Sequence, residues 1–491
     1  LDLIQFYTYK DEFGQDISKA ESEFRIKLIY SNYRQELLIG FLGHIAKRID
    51  LDNTLENIDN LQKELIGIEF QKAHIIHRRA HLALWQYFFD NKNFNHKDNR
   101  NVLDAKDIFL LFILVNQILD KSEYQKHDEE SILHAGFSFL SIDLIQKNDL
   151  VASNFFFIKF YEKLISHPLK DEFDKILINL TTYNLEFFRD FCIKLQRREK
   201  INHIFNIFEN FSVIKYKDIS KIWDNRVPKI QKPFDYRFIE KYPLIKDDKL
   251  FFPIDFINIF LSVFRKPYHL LSQKNNKFNF RNIFSKEISE PVIKEYIKEN
   301  FTSDNIKIIE TSYNNYEYAD TGLLFGDQLI LIEIKSVYMG LDLRYTEDKN
   351  KFIDGFNKRY IEGAGVRQQI KKINYIETNY NKFIEDCQLE QKKYNIFCLL
   401  LVFDESLSTI GVNVYIRNKF NKFFKEEFEQ EFNNINPYPY NATITFNELY
   451  FLFNDNKSQR ERFKILNSFF IYNLSLTEFL YELKKGTIIL N

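Results

Sequence analysis

Along the first half of the chain, apolar residues recur at three- and four-residue steps. The pattern runs through residues 24–42, 58–89, 108–119, 131–145, 155–165 and 183–195, with Asn- and Asp-rich connectors near 91–100 and 120–130. This period predicts amphipathic helices, and no fixed-length repeat links them. The texture changes between 224 and 275, where Pro228, Pro233, Pro243, Pro253 and Pro267 supply five of the nine prolines. Residues 238–253 read as strand, turn and strand, leading into a helix over 254–264. Beyond them short apolar runs take over. Residues 323–325, 329–334, 396–403 and 442–446 are predicted strands, 420–432 is a helix of mixed charge, and helices fill 449–483. The pattern predicts an α+β, multidomain chain: a mostly helical half over 1–230, an adaptor over 231–275, and an α/β domain over 276–491.

Composition narrows this picture. The chain has 491 residues, 45% of them hydrophobic, which is enough for sizeable cores. Its 52 Phe and 28 Tyr stand against 13 Gly and 9 Pro, so Phe is expected in core positions that other proteins give to Leu or Met. Net charge is −1, from 68 basic and 69 acidic residues, so no global positive excess announces a nucleic-acid binder; any basic surface must be local. Cys192, Cys387 and Cys398 have no metal-ligand spacing and suit a reducing compartment. No apolar run reaches membrane-spanning length; residues 108–119 contain Asn116 and Gln117 and read as a buried helix. The opening residues carry no signal-peptide pattern, and a cytoplasmic protein without membrane contact is expected.

The chemistry concentrates between Asp320 and Lys335. The strands 323–325 and 329–334 are joined by Gly326-Asp327, a hairpin signal. Side chains alternate along a strand, so Glu333 and Lys335 share a face opposite Ile332 and Ile334, and the hairpin returns Asp320 toward them. A carboxylate pair suits a hard divalent ion such as Mg²⁺ or Mn²⁺. An ammonium beside it can hold and polarise a water, the apparatus of metal-assisted phosphodiester hydrolysis. The competing reading is a solvated strand face with ordinary ion pairing. Leu329-Ile330-Leu331-Ile332 argues against it. A run so apolar is covered on both faces, and charges at its end are costly unless paired or metal-bound.

An aspartate followed across a hairpin by (D/E)-x-K resembles the PD-(D/E)XK nuclease superfamily, which includes many restriction endonucleases and recombination nucleases. The likeness covers residues 280–410. A helix before the hairpin offers Glu290, with Ile293 and Ile297 on its buried stripe and Glu287 as a less well spaced rival. A helix after it offers Gln368 and Gln369; Gln369 shares a face with Val366 and Ile373 and is the preferred member. The strand 396–403 follows, as the next core strand should. Ala319 stands where the superfamily pattern has its proline. The resemblance implies a restriction-endonuclease-like core with a mixed central sheet. It implies Mg²⁺ or Mn²⁺ held by Asp320, Glu333 and the Ile334 carbonyl, with Lys335 orienting and helping to deprotonate the attacking water. Glu290 would complete a second ion site or pass a proton, and Gln369 would fix the lysine or a phosphate. The implied reaction is hydrolysis of nucleic acid, DNA before RNA and internal before terminal bonds. By analogy with other large nuclease chains, the helical half would sense a protein partner, a guide complex or an invading nucleic acid, or drive self-assembly, in anti-phage defence.

Other patterns carry less. His74, His77 and His81 share a helical face, but one helix spaces them too widely for a single ion, and Arg78 and Arg79 would repel it. Packing or a basic contact surface is their expected use. Lys371 and Lys372, one turn beyond the glutamines, and Arg344 and Arg359, between the lysine strand and that helix, are the best-placed phosphate contacts. Further basic clusters lie at Arg197-Arg198 and Arg460–Lys464. Gly363-Ala364-Gly365 is too short for a phosphate loop, and no nucleotide-binding, serine-nucleophile or zinc-protease motif is present. Two alternatives remain open: a non-catalytic helical scaffold with a relic nuclease fold, and an RNA-cleaving enzyme.

Overall fold

Apolar strand runs build a five-stranded sheet whose spatial order follows the chain: β1 (Lys307–Ile309), β2 (Thr321–Phe325), β3 (Gln328–Lys335), β4 (Tyr394–Val402) and β5 (Ile435–Thr445). The computed structural model describes residues 128–137, 147–196, 244–247, 250–253, 256–274, 279–301, 306–313, 316–344, 346, 348–363, 365–409, 411–428, 432–455 and 457–488. The helical runs 24–42, 58–89 and 108–119 and the cluster His74, His77 and His81 lie outside them. β1 to β3 are antiparallel, whereas β4 runs parallel to β3 and β5 parallel to β4. The sheet is therefore mixed, and helices fill most of the remaining described chain. Among the described residues no helix is long and apolar enough to cross a membrane.

The β2–β3 hairpin closes on two residues, with Phe325 opposite Gln328. Gly326 sits at φ +62 in the first central position, where a type II′ turn wants glycine. Leu329, Ile330, Leu331, Ile332 and Ile334 are all at most 4% exposed, so β3 is covered on both faces as its sequence predicts. Each such side chain contributes about 1.5–3 kcal/mol on burial. The face formed by Leu329 and Leu331 of β3 with Cys398 and Leu400 of β4 shares a core with α4 (Val366–Thr378) and α5 (Val412–Glu427). Across the sheet, Phe403 meets Phe160 of α1 (Lys147–Ile165) at 5.2 Å and Phe446 of α6 (Phe446–Asn454) at 5.3 Å.

Several elements depart from the expected bounds; the helix expected over 420–432 is α5, which begins eight residues earlier and ends at Glu427. The helix expected to end at residue 264 is α2 (Phe256–Lys274), which continues through Pro267. Phe264, stacked 4.6 Å from Phe157, together with buried Tyr268 and Leu271 extends its apolar stripe past the proline and offsets the lost backbone bond. Strand β5 begins seven residues before the predicted 442, despite Pro437 and Pro439. It lies at the sheet edge, where a missing N–H leaves no ladder partner unserved. The short strand β1 was not anticipated at all.

Chain contacts divide the molecule into two compact units, residues 1–125 with 194–262 and residues 126–193 with 263–491. The second takes in α1 as well as the sheet, a grouping that differs from a boundary drawn at 276. The aromatic contacts of Phe156, Phe157 and Phe160 are what hold α1 there. In the first unit, Leu244–Asp247 pairs antiparallel with Leu250–Pro253, the expected strand-turn-strand.

α4 starts under tight steric constraint. Gly365 accepts the first N–H bonds of the helix, from Gln368 and Gln369, and a methyl in place of its hydrogen would run into the Tyr360 carbonyl. Gly365→Ala is expected to destabilise the protein by about 1–3 kcal/mol, the usual cost of overpacking, as read by urea denaturation. An unchanged midpoint would show that the residues around 360 can yield.

Candidate active site

Strand pairing brings Asp320 to the end of β3 that carries Glu333. β2 and β3 pair up to Thr321 and Ile332, and the Asp320 N–H still donates to the Ile332 carbonyl at 3.0 Å. One step further β2 has left the ladder, and Asp320 Oδ2 accepts the Ile334 N–H at 2.5 Å in place of a strand carbonyl. Asp320 is thereby fixed at the ladder's end, on the same edge of β3 as the Ile334 carbonyl. Glu333 and Lys335 project from the face of β3 shared with Leu331, and Lys335 Nζ donates to Glu333 Oε1 at 2.8 Å.

Helix α4 lies over this face. Gln368 and Lys372 are four residues apart and so face the same way. Lys372 Nζ donates to Glu333 Oε2 at 2.7 Å, and Gln368 Oε1 accepts from Lys335 Nζ at 3.4 Å. Glu333 thus has one ammonium on each oxygen. On the opposite flank α3 (Glu290–Asn300) begins directly after a π-helical stretch, Phe284–Ser289. The π geometry is rare and recurs at functional sites. Ser285 Oγ donates to Glu290 Oε1 at 3.0 Å, and the Ser289 and Ser336 hydroxyls hydrogen-bond, tying this helix start to the residue after Lys335.

The carboxylates act on one another through their charges. Burial, then the negative charge of Glu333, push the Asp320 carboxyl up to about 7; Lys335 opposes this and Glu290 adds to it. Burial likewise raises Glu290, against the opposing pull of Ser285. Asp320, Glu333 and Lys335 are gathered at the end of β3, whereas Glu290 makes its hydrogen bond to Ser285 and acts on Asp320 only through its charge.

The other expected residues fall elsewhere. Gln369 does not reach Lys335; its Oε1 accepts from Asn441 Nδ2 at 3.0 Å, beneath α4 and toward β5. It does share the buried stripe of Val366 and Ile373, but that stripe faces the middle of the sheet, and Gln368 is the neighbour of the lysine. Lys372 is 7% exposed, and its ammonium is held by Glu333. Arg344, 3% exposed, is bound to Asp404 through Nη2, at 2.8 Å and 2.9 Å, and is no cleft residue. Lys371 is exposed and Arg359 half-buried, and neither takes part in the cluster. The sequence singles out Lys372 as a phosphate contact; its pairing with Glu333 has no signal there beyond its place one turn after Gln368.

The donor set suits a hard divalent cation. Asp320 and Glu333 carboxylates and the Ile334 carbonyl are all oxygen ligands, and the strain on ionised Asp320 is what a cation would relieve. Among the described residues no group of three or more His, Cys, Asp or Glu side chains is placed to hold a metal ion. Two carboxylates and a carbonyl could serve only an ion that keeps several waters.

The shift of Asp320 has a measurable consequence without metal. Its carboxyl ionises near 3.8 in the unfolded chain and near 7 in the folded one. Between those values the folded state holds the extra proton, so stability falls as pH rises through the window and the deficit is complete above about 7. In chelator, Asp320→Asn is expected to raise the melting temperature by several degrees at pH 8 and hardly at pH 4. An equal effect at both values would contradict the shift.

Compared with protein families, with curated proteins and with solved structures, the chain matches none.

Proposed function

We propose that the chain is a metal-dependent nuclease that hydrolyses phosphodiester bonds, with DNA as the favoured substrate and internal cleavage favoured over terminal. The observation that carries this reading is the convergence of Asp320, Glu333 and Lys335 at the end of one hairpin, with Asp320 pinned by the Ile334 N–H at 2.5 Å. The order of elements supports it: helix, antiparallel hairpin, helix, then a strand parallel to the one bearing the lysine.

A bound Mg²⁺ or Mn²⁺ would supply Lewis-acid charge against the phosphate and lower the pKa of water. Asp320, Glu333 and the Ile334 carbonyl are the groups to hold it. Lys335, on the strand end and 15% exposed at its side chain, is placed to orient a water for in-line attack. Gln368 limits where its ammonium can go. Glu290, whose carboxyl burial raises above its ordinary value, would be the group to pass a proton.

The deciding panel is supercoiled plasmid, linear duplex, single-stranded DNA and RNA, each with Mg²⁺, Mn²⁺ or chelator. Nicking of plasmid with metal and none with chelator is the expected result. Cleavage of RNA alone would keep the chemistry and change the substrate. Inertness toward all four would remove the reading.

A further inference from the structure

Glu333 presents a chemical conflict. A carboxylate that ligates a divalent ion must offer it an oxygen, yet Oε1 is taken by Lys335 at 2.8 Å and Oε2 by Lys372 at 2.7 Å. The side chain of Glu333 is 2% exposed, so water cannot stand in for either ammonium. Each oxygen keeps a second lone pair, so the conflict is electrostatic: a dication on either oxygen meets an ammonium already held there.

The two are not equivalent. Lys335 sits two residues from Glu333 on the same strand and face, and it already has a second acceptor in Gln368 Oε1. Its backbone keeps it beside the carboxylate whichever acceptor it uses. Lys372 reaches Glu333 from another element, α4, at the end of a four-methylene stem. With both ammoniums in place, an incoming dication at Glu333 meets two positive charges on the carboxylate it needs. Releasing Lys372 from Glu333 reduces this repulsion and leaves a mobile ammonium in need of an anion.

We propose that Lys372 is the resident counter-ion of Glu333, displaced when a divalent metal binds, and that the released ammonium then pairs with the phosphate of the incoming nucleic acid. This deepens the nuclease reading and rests on it. Lys372 is accordingly a positioning residue: it holds the carboxylate while no metal is present and couples metal loading to phosphate binding. Removing its charge takes away a competitor for the ion, so metal affinity rises while substrate affinity falls. A residue that only supported the fold would not move these two quantities in opposite directions.

The test is calorimetric titration of Mn²⁺ alone into the full chain and into Lys372→Gln, which keeps a hydrogen-bond donor for Oε2 and loses the charge. Lys372→Met is the harsher companion, and Glu333→Gln the control without a ligand. KM for a duplex oligonucleotide is measured at saturating Mn²⁺ in parallel. The expected result is Mn²⁺ binding at least tenfold tighter in Lys372→Gln, together with a KM raised at least fivefold. Mn²⁺ binding no tighter than in the parent chain, or an unchanged KM, overturns the proposal and leaves the nuclease reading standing. A parent chain that neither binds Mn²⁺ nor cuts removes both, and so separates the two failures.

Discussion

Lys335→Met is expected to lower the rate of metal-dependent cleavage by about 10²–10⁴-fold, the range for losing a positioned proton-handling group. The fold should survive. Lys335 is at the exposed end of β3, and methionine keeps the unbranched stem that packs beside Glu333. Glu333 also retains Lys372 on Oε2. Under single-turnover conditions at saturating Mn²⁺, the loss should therefore fall on the chemical step, with oligonucleotide affinity changed far less. A variant that cuts at the parent rate would mean that the ammonium at 335 does no more than pair with its neighbour. A variant that fails to fold would point the same way, since the ion pair would then be structural.

The second large effect concerns stability. Arg344→Met is expected to destabilise the protein by about 3–5 kcal/mol, the cost of stripping one partner from a buried ion pair. Asp404 is fully buried, and Arg344 supplies its positive charge through bonds to both carboxylate oxygens. Asp404 also accepts the Met339 and Ser406 N–H groups, at 2.9 Å and 3.1 Å. One carboxylate thus gathers the segment after β3, the short helix Leu341–Arg344 and the turn after β4. Without the guanidinium that charge is stranded in a medium that cannot solvate it. Guanidinium-chloride unfolding of wild type and variant reads the difference. If stability were unchanged while DNA affinity fell and lost salt dependence, Arg344 would be a phosphate contact after all.

The site was legible from residues 320–335 because each step there is local. A two-residue turn at Gly326 sets the register, strand alternation puts Glu333 and Lys335 together, and the register returns Asp320 to them. The sheet beyond it was legible because β3 and β4 are continuous apolar runs. Where tertiary context decides, the pattern was silent or misleading. β1 is three residues long, too short for alternation to register. Prolines argued against the first part of β5 and the last part of α2, and in each case position in the fold outweighed them: a sheet edge for one, an aromatic stripe for the other. Gln369 was preferred over Gln368 because an inward-facing stripe was equated with the site, whereas the site lies at the margin of that stripe. Arg344 and Lys372 show why charge in a sequence does not report its partner. Their carboxylates lie 60 and 39 residues away, across a helix or a strand end.

The central claim is that Asp320, Glu333 and Lys335 hold a cation and cut nucleic acid there. Its most direct measurement is conversion of supercoiled plasmid by purified wild type and Asp320→Ala, side by side, with Mg²⁺, Mn²⁺ or EDTA. The account predicts nicked and linear products from wild type with either metal, none with EDTA, and none from the variant under any condition. Equal cleavage by the two proteins, or metal-independent cleavage by wild type, would contradict it.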